Sequence, residues 1–206
     1  MVRTLSSMLP LGTPLPHFDL DVVKGTPLFR DTHLRGLNNI SSKSLQERPI
    51  LLMIICAHCP FVKHVEIELT NLDKDYGNRV QILAISSNSL VTHPQDGPNN
   101  LALQAQLQGW KFPYLLDLDQ CFAKALKAAC TPDFFLFSPF EDGCQKLRYR
   151  GQLDNSRPGG QIPLTGKDLR SAMDAVVEGQ EVFTDQKPSI GCNIKWHPGE
   201  EPSWFS

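Results

Sequence analysis

The sequence predicts an α/β fold with a central mixed β-sheet flanked by helices. An apolar run at 50–55, a helix-period segment at 60–76 and a second apolar run at 80–86 indicate a strand, a helix and a strand. Further along, two strand-like runs and an amphipathic segment between 134 and 177 indicate a hairpin followed by a helix. A βαβ unit followed by a ββα unit is the layout of a mixed sheet with helices on both faces.

The N-terminal elements are short. Residues 1–17 are rich in Pro, Gly and Ser and have no hydrophobic period, which predicts an irregular arm. Residues 18–22 alternate between apolar and polar side chains, and a Lys-Gly pair separates them from an apolar stretch at 27–29. This pattern predicts a small N-terminal hairpin, followed by a segment at 30–49 that is mostly loop.

The central elements have stronger signals. The strand at 50–55 is apolar at every position, as expected for a strand that is buried on both faces of a sheet. The segment at 60–76 has one apolar face, and a Gly-Asn pair then supplies a helix stop. A polar stretch with prolines at 87–100 predicts a loop after the strand at 80–86.

The second half of the chain continues the α/β pattern. Its predicted elements are a helix at 101–109, a strand at 114–117, a helix at 120–129, an antiparallel hairpin of 134–137 and 147–150, and a helix that ends at Gly179. We expect residues 1–180 to form one domain and residues 181–206 to form a C-terminal tail that packs on it.

Composition narrows the function classes. The chain has 206 residues, of which 41% are hydrophobic, enough for one domain with its own core. Its formal net charge of −2 and its lack of a basic cluster argue against nucleic-acid binding. No apolar stretch reaches the length of a signal-peptide core or a membrane span, so we expect a cytoplasmic protein without membrane contact.

Two cysteines lie where the strand at 50–55 passes into the helix at 60–76. A helix N-terminus presents unpaired backbone N–H groups and the positive end of the helix dipole, and both favour a thiolate. Cys56 is therefore the expected attacking thiolate, and Cys59 is the expected resolving thiol that closes a disulfide. His58 is a candidate catalytic residue, because a positive charge between the thiols stabilises a thiolate. A solvated histidine fits the same position.

A structural zinc half-site is the alternative for this pair, since zinc sites also use cysteines two residues apart. No second Cys-x-x-Cys pair occurs among the other cysteines, which are Cys121, Cys130, Cys144 and Cys192. In a reducing compartment such a pair is more typical of catalysis or metal binding than of a structural disulfide. We expect no metal and no cofactor.

The sequence resembles the thioredoxin superfamily over about residues 10–180. The resemblance rests on the Cys-x-x-Cys at the first strand-to-helix turn and on Thr131-Pro132 before the ββα half. It is similar in particular to cytoplasmic thiol-disulfide isomerase and thioredoxin-like proteins of the redoxin, or alkyl hydroperoxide reductase, type. Their Cys-Asn-His-Cys-Pro-like active site corresponds to residues 56–60, and their terminal Ile-Gly-Cys-x-Ile-Lys-Trp segment corresponds to residues 190–196.

The resemblance implies a thioredoxin-like fold and thiol-disulfide exchange. It implies a cis peptide bond before Pro132 and a substrate groove in which the backbone of Thr131 is exposed to an extended substrate; a trans proline at a strand entry is the alternative. The expected partners are disulfide-containing protein substrates and a reductant such as thioredoxin or glutathione. A non-catalytic thioredoxin-like module that binds a partner or a metal through the same surface is the alternative from another class.

Peroxide reduction is the rival within redox chemistry. Peroxiredoxin-like proteins carry Pro-x-x-x-Thr-x-x-Cys-Pro, and Cys59-Pro60 fits the last two positions. Cys56 stands where the threonine belongs, and Leu52 stands where the first proline belongs. Because the motif then lacks the hydroxyl that orients a peroxide oxygen, the sequence favours disulfide exchange.

Cys192 is a candidate additional redox thiol. It lies in the Pro- and Trp-containing tail, after the last predicted helix. A tail that folds back on the domain would bring this cysteine near the other thiols. An unreactive cysteine, buried as a small apolar side chain, is the alternative.

Overall fold

The computed structural model describes residues 3–205 of the chain. Its strands are β1 (Arg3–Leu5), β2 (Asp19–Val22), β3 (Asn39–Ser41), β4 (Ile50–Ile54), β5 (Gln81–Ser86), β6 (Tyr114–Leu116), β7 (Cys130–Thr131), β8 (Asp133–Phe137), β9 (Leu147–Gly151) and β10 (Ile190–Asn193). Its α-helices are α1 (Pro60–Tyr76), α2 (Pro98–Gln108), α3 (Cys121–Ala125) and α4 (Lys167–Val177). Among the described residues, no helix has both the length and the apolar character needed to cross a bilayer.

Seven strands form the central sheet, in the order β3-β2-β6-β5-β4-β8-β9. β5 pairs in parallel with β4 and β6, whereas β4 and β8 are antiparallel, so the sheet is mixed as predicted. A second sheet, in the order β1-β10-β7, joins segments from both ends of the chain. The C-terminal tail therefore contributes a strand next to the segment that contains Thr131.

Alternate residues of β4 contribute to two cores. Leu51 and Met53 pack with the apolar faces of α1, α2 and α4, and Ile50 and Leu52 pack with α3 and with Trp196 of the tail. Every residue of β4 is buried because both faces of the sheet are covered. The turn from β4 into α1 lies at the carboxyl end of a parallel strand, where open α/β sheets bind their ligands.

Most of the predicted central elements are confirmed. Helix α1 has the predicted bounds, and β8 and β9 form the predicted antiparallel hairpin. α2 begins at Pro98, inside the predicted loop, because proline suits the first helical position, where its missing N–H has no partner to lose. α3 ends at Ala125, earlier than predicted, and Lys127 beyond it has a φ of 50°, outside the helical range.

The predicted N-terminal hairpin is wrong in its second strand. β2 pairs with β3, which lies in the segment predicted to be loop, and not with residues 27–29. Ile40 of β3 is fully buried, whereas Leu28 is 76% exposed, so core packing selects β3. β1 likewise replaces part of the predicted irregular arm and pairs with β10. The first two residues of that arm, and Ser206 of the tail, lie outside the described residues.

Candidate active site

Cys56 and Cys59 lie in the predicted turn, but at different positions relative to the helix. Cys59 is the N-cap residue of α1, and Pro60 occupies the first helical position. Cys56 lies three residues before the N-cap, in the chain that leaves β4. Cys59, and not Cys56, therefore adjoins the unpaired backbone N–H groups of the helix.

Both sulfurs are shielded from solvent. Cys56 is 1% exposed and Cys59 is 0% exposed. The expectation of a reachable thiolate at Cys56 is therefore wrong for this conformation. The residues between the two cysteines, Ala57 and His58, are partly exposed. A substrate can contact either sulfur only after a local movement of the segments that cover it.

β10 brings a third sulfur to this pair. Cys192 stands opposite Thr131 in the antiparallel register of β10 and β7. Its Sγ lies 2.9 Å from Cys59 Sγ, and the residue is 3% exposed. Cys56 in turn interacts with Cys59 through its thiol. The structure therefore joins Cys56, Cys59 and Cys192 in one buried group, which we call the thiol cluster.

The segment predicted to shape the substrate groove contacts the same cluster. The Thr131-Pro132 peptide bond is cis, as the resemblance implied. Thr131 Oγ1 lies 3.6 Å from Cys56 Sγ, and the Thr131 carbonyl oxygen accepts a hydrogen bond of 3.2 Å from Cys59 Sγ. The backbone of Thr131 is not exposed, however, because β10 pairs with it. A strand of the chain itself lies where the resemblance implied an open groove.

The pKa shifts of the thiol cluster favour a thiolate on Cys59, whereas the sequence predicted it on Cys56. Hydrogen bonds from the thiols of Cys192 and Cys56 lower the pKa of Cys59 far below that of an ordinary cysteine. The pKa of Cys56 is raised by its thiol contact with Cys59, by burial and by the charge of Asp96. The pKa of Cys192 is likewise raised by its contact with Cys59. A thiolate is therefore favoured on Cys59 over the other two sulfurs, because Cys59 adjoins the helix N-terminus and its thiol contacts lower its pKa.

His58 forms an ion pair with a residue that sequence reasoning missed. His58 Nδ1 lies 2.6 Å from Asp96 Oδ2, and Asp96 is fully buried. Asp96 Oδ1 accepts hydrogen bonds from the backbone N–H groups of Ala57 and His58, at 3.0 and 3.2 Å. Asn88 Nδ2 donates to Asp96 Oδ2 at 2.8 Å. Asp96 thus anchors the Cys-x-x-Cys turn through three hydrogen bonds, and Asn88 supplies a fourth.

This ion pair shifts both partners. The hydrogen bond to Asp96 raises the pKa of His58. Burial raises the pKa of Asp96, but the hydrogen bonds from His58 and Asn88 outweigh burial, so the pKa of the carboxyl group is lowered. The sequence offers one signal that Asp96 belongs to the site, namely its position. Asp96 lies in the loop after β5, at the carboxyl end of a strand parallel to β4.

A metal ion is a weaker explanation of these side chains. Ligand atoms of Cys56, His58 and Asp96 lie within 4.8 Å of one another. Both oxygens of Asp96 already accept two hydrogen bonds each, and Cys59 faces Cys192. Structural zinc sites use four ligands in a tetrahedron, often thiolates. The donor set therefore fits an acid–base pair beside a thiol better than the zinc half-site considered from the sequence.

Comparisons with known proteins agree with this architecture. The chain matches the AhpC/TSA family over residues 11–149, a stretch that includes Cys56, Cys59 and Thr131. No curated protein matches the chain. A conserved uncharacterized protein from Geobacillus kaustophilus is 44% identical, with a TM-score of 0.85 over 97% of this chain and 98% of that one. A hypothetical protein from Sinorhizobium meliloti 1021 is 38% identical, with a TM-score of 0.83 over 95% of this chain and 100% of that one.

More distant structures share the fold alone. A secreted Mycobacterium tuberculosis disulfide oxidoreductase homologous to E. coli DsbE is 13% identical, with a TM-score of 0.53 over 77% of this chain and 95% of that one. Mycobacterium bovis AhpC is 15% identical, with a TM-score of 0.56 over 87% of this chain and 98% of that one. The thioredoxin-like fold is confirmed, and the chain belongs to the AhpC/TSA family.

Proposed function

We propose that the protein is a thiol-disulfide oxidoreductase whose Cys56 and Cys59 cycle between dithiol and disulfide. The observation that carries the proposal is that Thr131 lies beside both thiols at the start of α1, with its hydroxyl 3.6 Å from Cys56 Sγ and its carbonyl oxygen 3.2 Å from Cys59 Sγ. The protein dithiol gives two electrons and two protons to a substrate disulfide, which leaves as two thiols. We expect disulfide-containing proteins as substrates and thioredoxin or glutathione as reductant, in the cytoplasm.

In this proposal Cys59 takes the first step, because it adjoins the N-terminus of α1 and its pKa is lowered. Its thiolate attacks one sulfur of the substrate disulfide, which forms a mixed disulfide and expels the other sulfur as a thiolate. Cys56 then loses its proton and displaces the remaining substrate sulfur, which closes the Cys56–Cys59 disulfide. His58 Nδ1 lies 3.9 Å from Cys56 Sγ, and Asp96 raises the His58 pKa, so we assign His58 the role of donating a proton to a departing thiolate.

A redox titration tests this proposal. We expect wild-type protein in thiol-disulfide buffers to lose two maleimide-reactive thiols together, with a two-electron midpoint between about −120 and −270 mV. The Cys144→Ser variant, which removes a partly exposed cysteine outside the cluster, should titrate like wild type. Retention of all thiols in the most oxidising buffer would contradict the proposal and favour a binding module.

Peroxide reduction by Cys59 is the second candidate. The lowered pKa of Cys59, directly before Pro60, favours it, and the Thr131 hydroxyl helps to lower that pKa. Thr131 thus places beside the Cys59 sulfur the hydroxyl that the sequence motif lacks. The Cys59 thiolate would take one peroxide oxygen to become a sulfenic acid and release water after protonation. A neighbouring thiol would then form a disulfide and release the second water.

A further inference from the structure

We propose that β10 is a tethered substrate strand, which fills the groove along Thr131-Pro132 and presents Cys192 to Cys59 as a substrate cysteine would be presented. The inference rests on the proposed function, because it identifies the occupant of that same site. In this proposal, a disulfide formed between Cys59 and Cys192 corresponds to the mixed disulfide that Cys59 forms with a substrate.

The backbone contacts of β10 support this assignment. Cys192 and Asn193 pair antiparallel with Thr131 and Cys130 of β7. Main-chain pairing of an extended segment with an exposed strand edge is a common mode of peptide recognition. The backbone that the resemblance implied would receive an extended substrate therefore already holds an extended strand.

Gly191 shows how closely this strand approaches. An added Cβ at Gly191 would lie 2.0 Å from the Thr131 carbonyl oxygen and 3.2 Å from Pro132 N. Any side chain here would push β10 away from the groove, because the obstructing atoms belong to backbone. The glycine before Cys192 is therefore required for the contact between the strand and the groove.

The sulfur geometry supports the second part of the proposal. Cys192 Sγ lies 2.9 Å from Cys59 Sγ, which is longer than a disulfide bond of about 2.05 Å but close enough for that bond to form with little movement. When a substrate disulfide oxidises Cys59 to a mixed disulfide, Cys192 can displace the substrate thiol and form the Cys59–Cys192 bond. The Cys56 thiolate can then attack Cys59, form the Cys56–Cys59 disulfide and release Cys192 as a thiolate. This exchange breaks one S–S bond, forms another and consumes no electrons.

The Gly191→Ala variant should loosen β10 from the groove. We expect Cys59 to react about tenfold faster with iodoacetamide than in wild type, because the displaced strand uncovers its sulfur. Gly179→Ala is the matched control: Gly179 also disfavours a side chain, having a φ of +68°, but an added Cβ there touches nothing within 4 Å. Equal acceleration in the two variants would point to general loosening and contradict the role of Gly191.

Disulfide mapping tests the proposal itself. Wild type, Cys56→Ser and Cys192→Ser proteins are oxidised with oxidised glutathione, quenched with acid and N-ethylmaleimide, digested and mapped by mass spectrometry. We expect Cys56→Ser to form the Cys59–Cys192 disulfide, and Cys192→Ser to form only Cys56–Cys59. We expect wild type to contain both, in exchange.

The outcomes separate this inference from the proposed function. A glutathione adduct on Cys59 of Cys56→Ser, with Cys192 alkylated, would overturn the tethered-strand role and leave the Cys56–Cys59 chemistry intact. Wild-type protein without any intramolecular disulfide would overturn both. Cys144 serves as the control for the quench. Its peptide should carry N-ethylmaleimide in every sample, which verifies that the quench preserves thiols.

Discussion

Cys59→Ser should abolish thiol chemistry, with a loss of at least about a thousandfold in both insulin disulfide reduction and hydrogen peroxide consumption. The reason is that Cys59 is the proposed nucleophile, whose pKa is lowered at the start of α1, and a serine hydroxyl does not ionise there. The fold should survive, because serine is a favoured N-cap residue and Cys59 occupies the N-cap of α1. Insulin turbidity and peroxide assays, with circular dichroism as a check of folding, measure the effect.

The Cys56→Ser variant separates the two candidate functions. It retains the Cys59 thiolate, so peroxide consumption that survives in Cys56→Ser but not in Cys59→Ser would favour peroxide reduction. Loss of insulin reduction in both variants would favour disulfide exchange, since turnover then needs Cys56 to close the Cys56–Cys59 disulfide that the reductant recycles. Cys144→Ser should behave as wild type in both assays. Full activity of Cys59→Ser would refute the assignment of the site.

Asp96→Asn should weaken both the fold and the proton affinity of His58. In wild type the buried carboxylate accepts hydrogen bonds from Ala57, His58 and Asn88. Asparagine replaces one carboxylate oxygen with an NH₂ group, which then faces one of these donors. Loss of a charged acceptor with buried donors costs about 1–3 kcal/mol. The pKa of His58 should fall, because the hydrogen bond that His58 donates to Asp96 raises it in wild type.

The destabilisation by Asp96→Asn should depend on pH. The pKa of His58 is raised above its ordinary 6.5, so the stabilisation from its charged form is complete below 6.5 and is lost as pH rises through the raised value. The pKa of Asp96 is lowered from 3.8, so its stabilisation is present above 3.8 and is lost only as pH falls through the lowered value. The difference in unfolding free energy between wild type and Asp96→Asn should therefore be larger near about pH 6 than near about pH 9.

Urea unfolding at the two pH values measures this difference, and an NMR titration of the His58 ring gives its pKa. Asp185→Asn, a substitution of an exposed aspartate, should change neither quantity. A destabilisation that is equal at both pH values, or an unchanged pKa of His58, would contradict the ion pair. The pH profile distinguishes this pair from a purely structural role of the Asp96 carboxylate.

The predicted elements succeeded or failed according to the range of their interactions. Helix α1 matches its predicted bounds because apolar spacing, an initial proline and a following Gly-Asn pair are local signals. The strand partner of β2 was mispredicted, because the burial of Ile40 depends on a core assembled from distant segments. No local signal in the sequence connects β2 with that partner.

The same distinction applies to the site. The sequence determined that two thiols and a histidine lie at a strand-to-helix turn, and that Thr131-Pro132 accompanies them, because strand and helix periods and their boundaries are local properties. The thiol on which a thiolate is favoured depends on long-range packing, because the pKa of Cys59 is lowered by its contact with Cys192, which lies 133 positions further along the chain. The tertiary structure also decided that Asp96 holds His58, since strand pairing and loop packing set distances that sequence spacing does not encode.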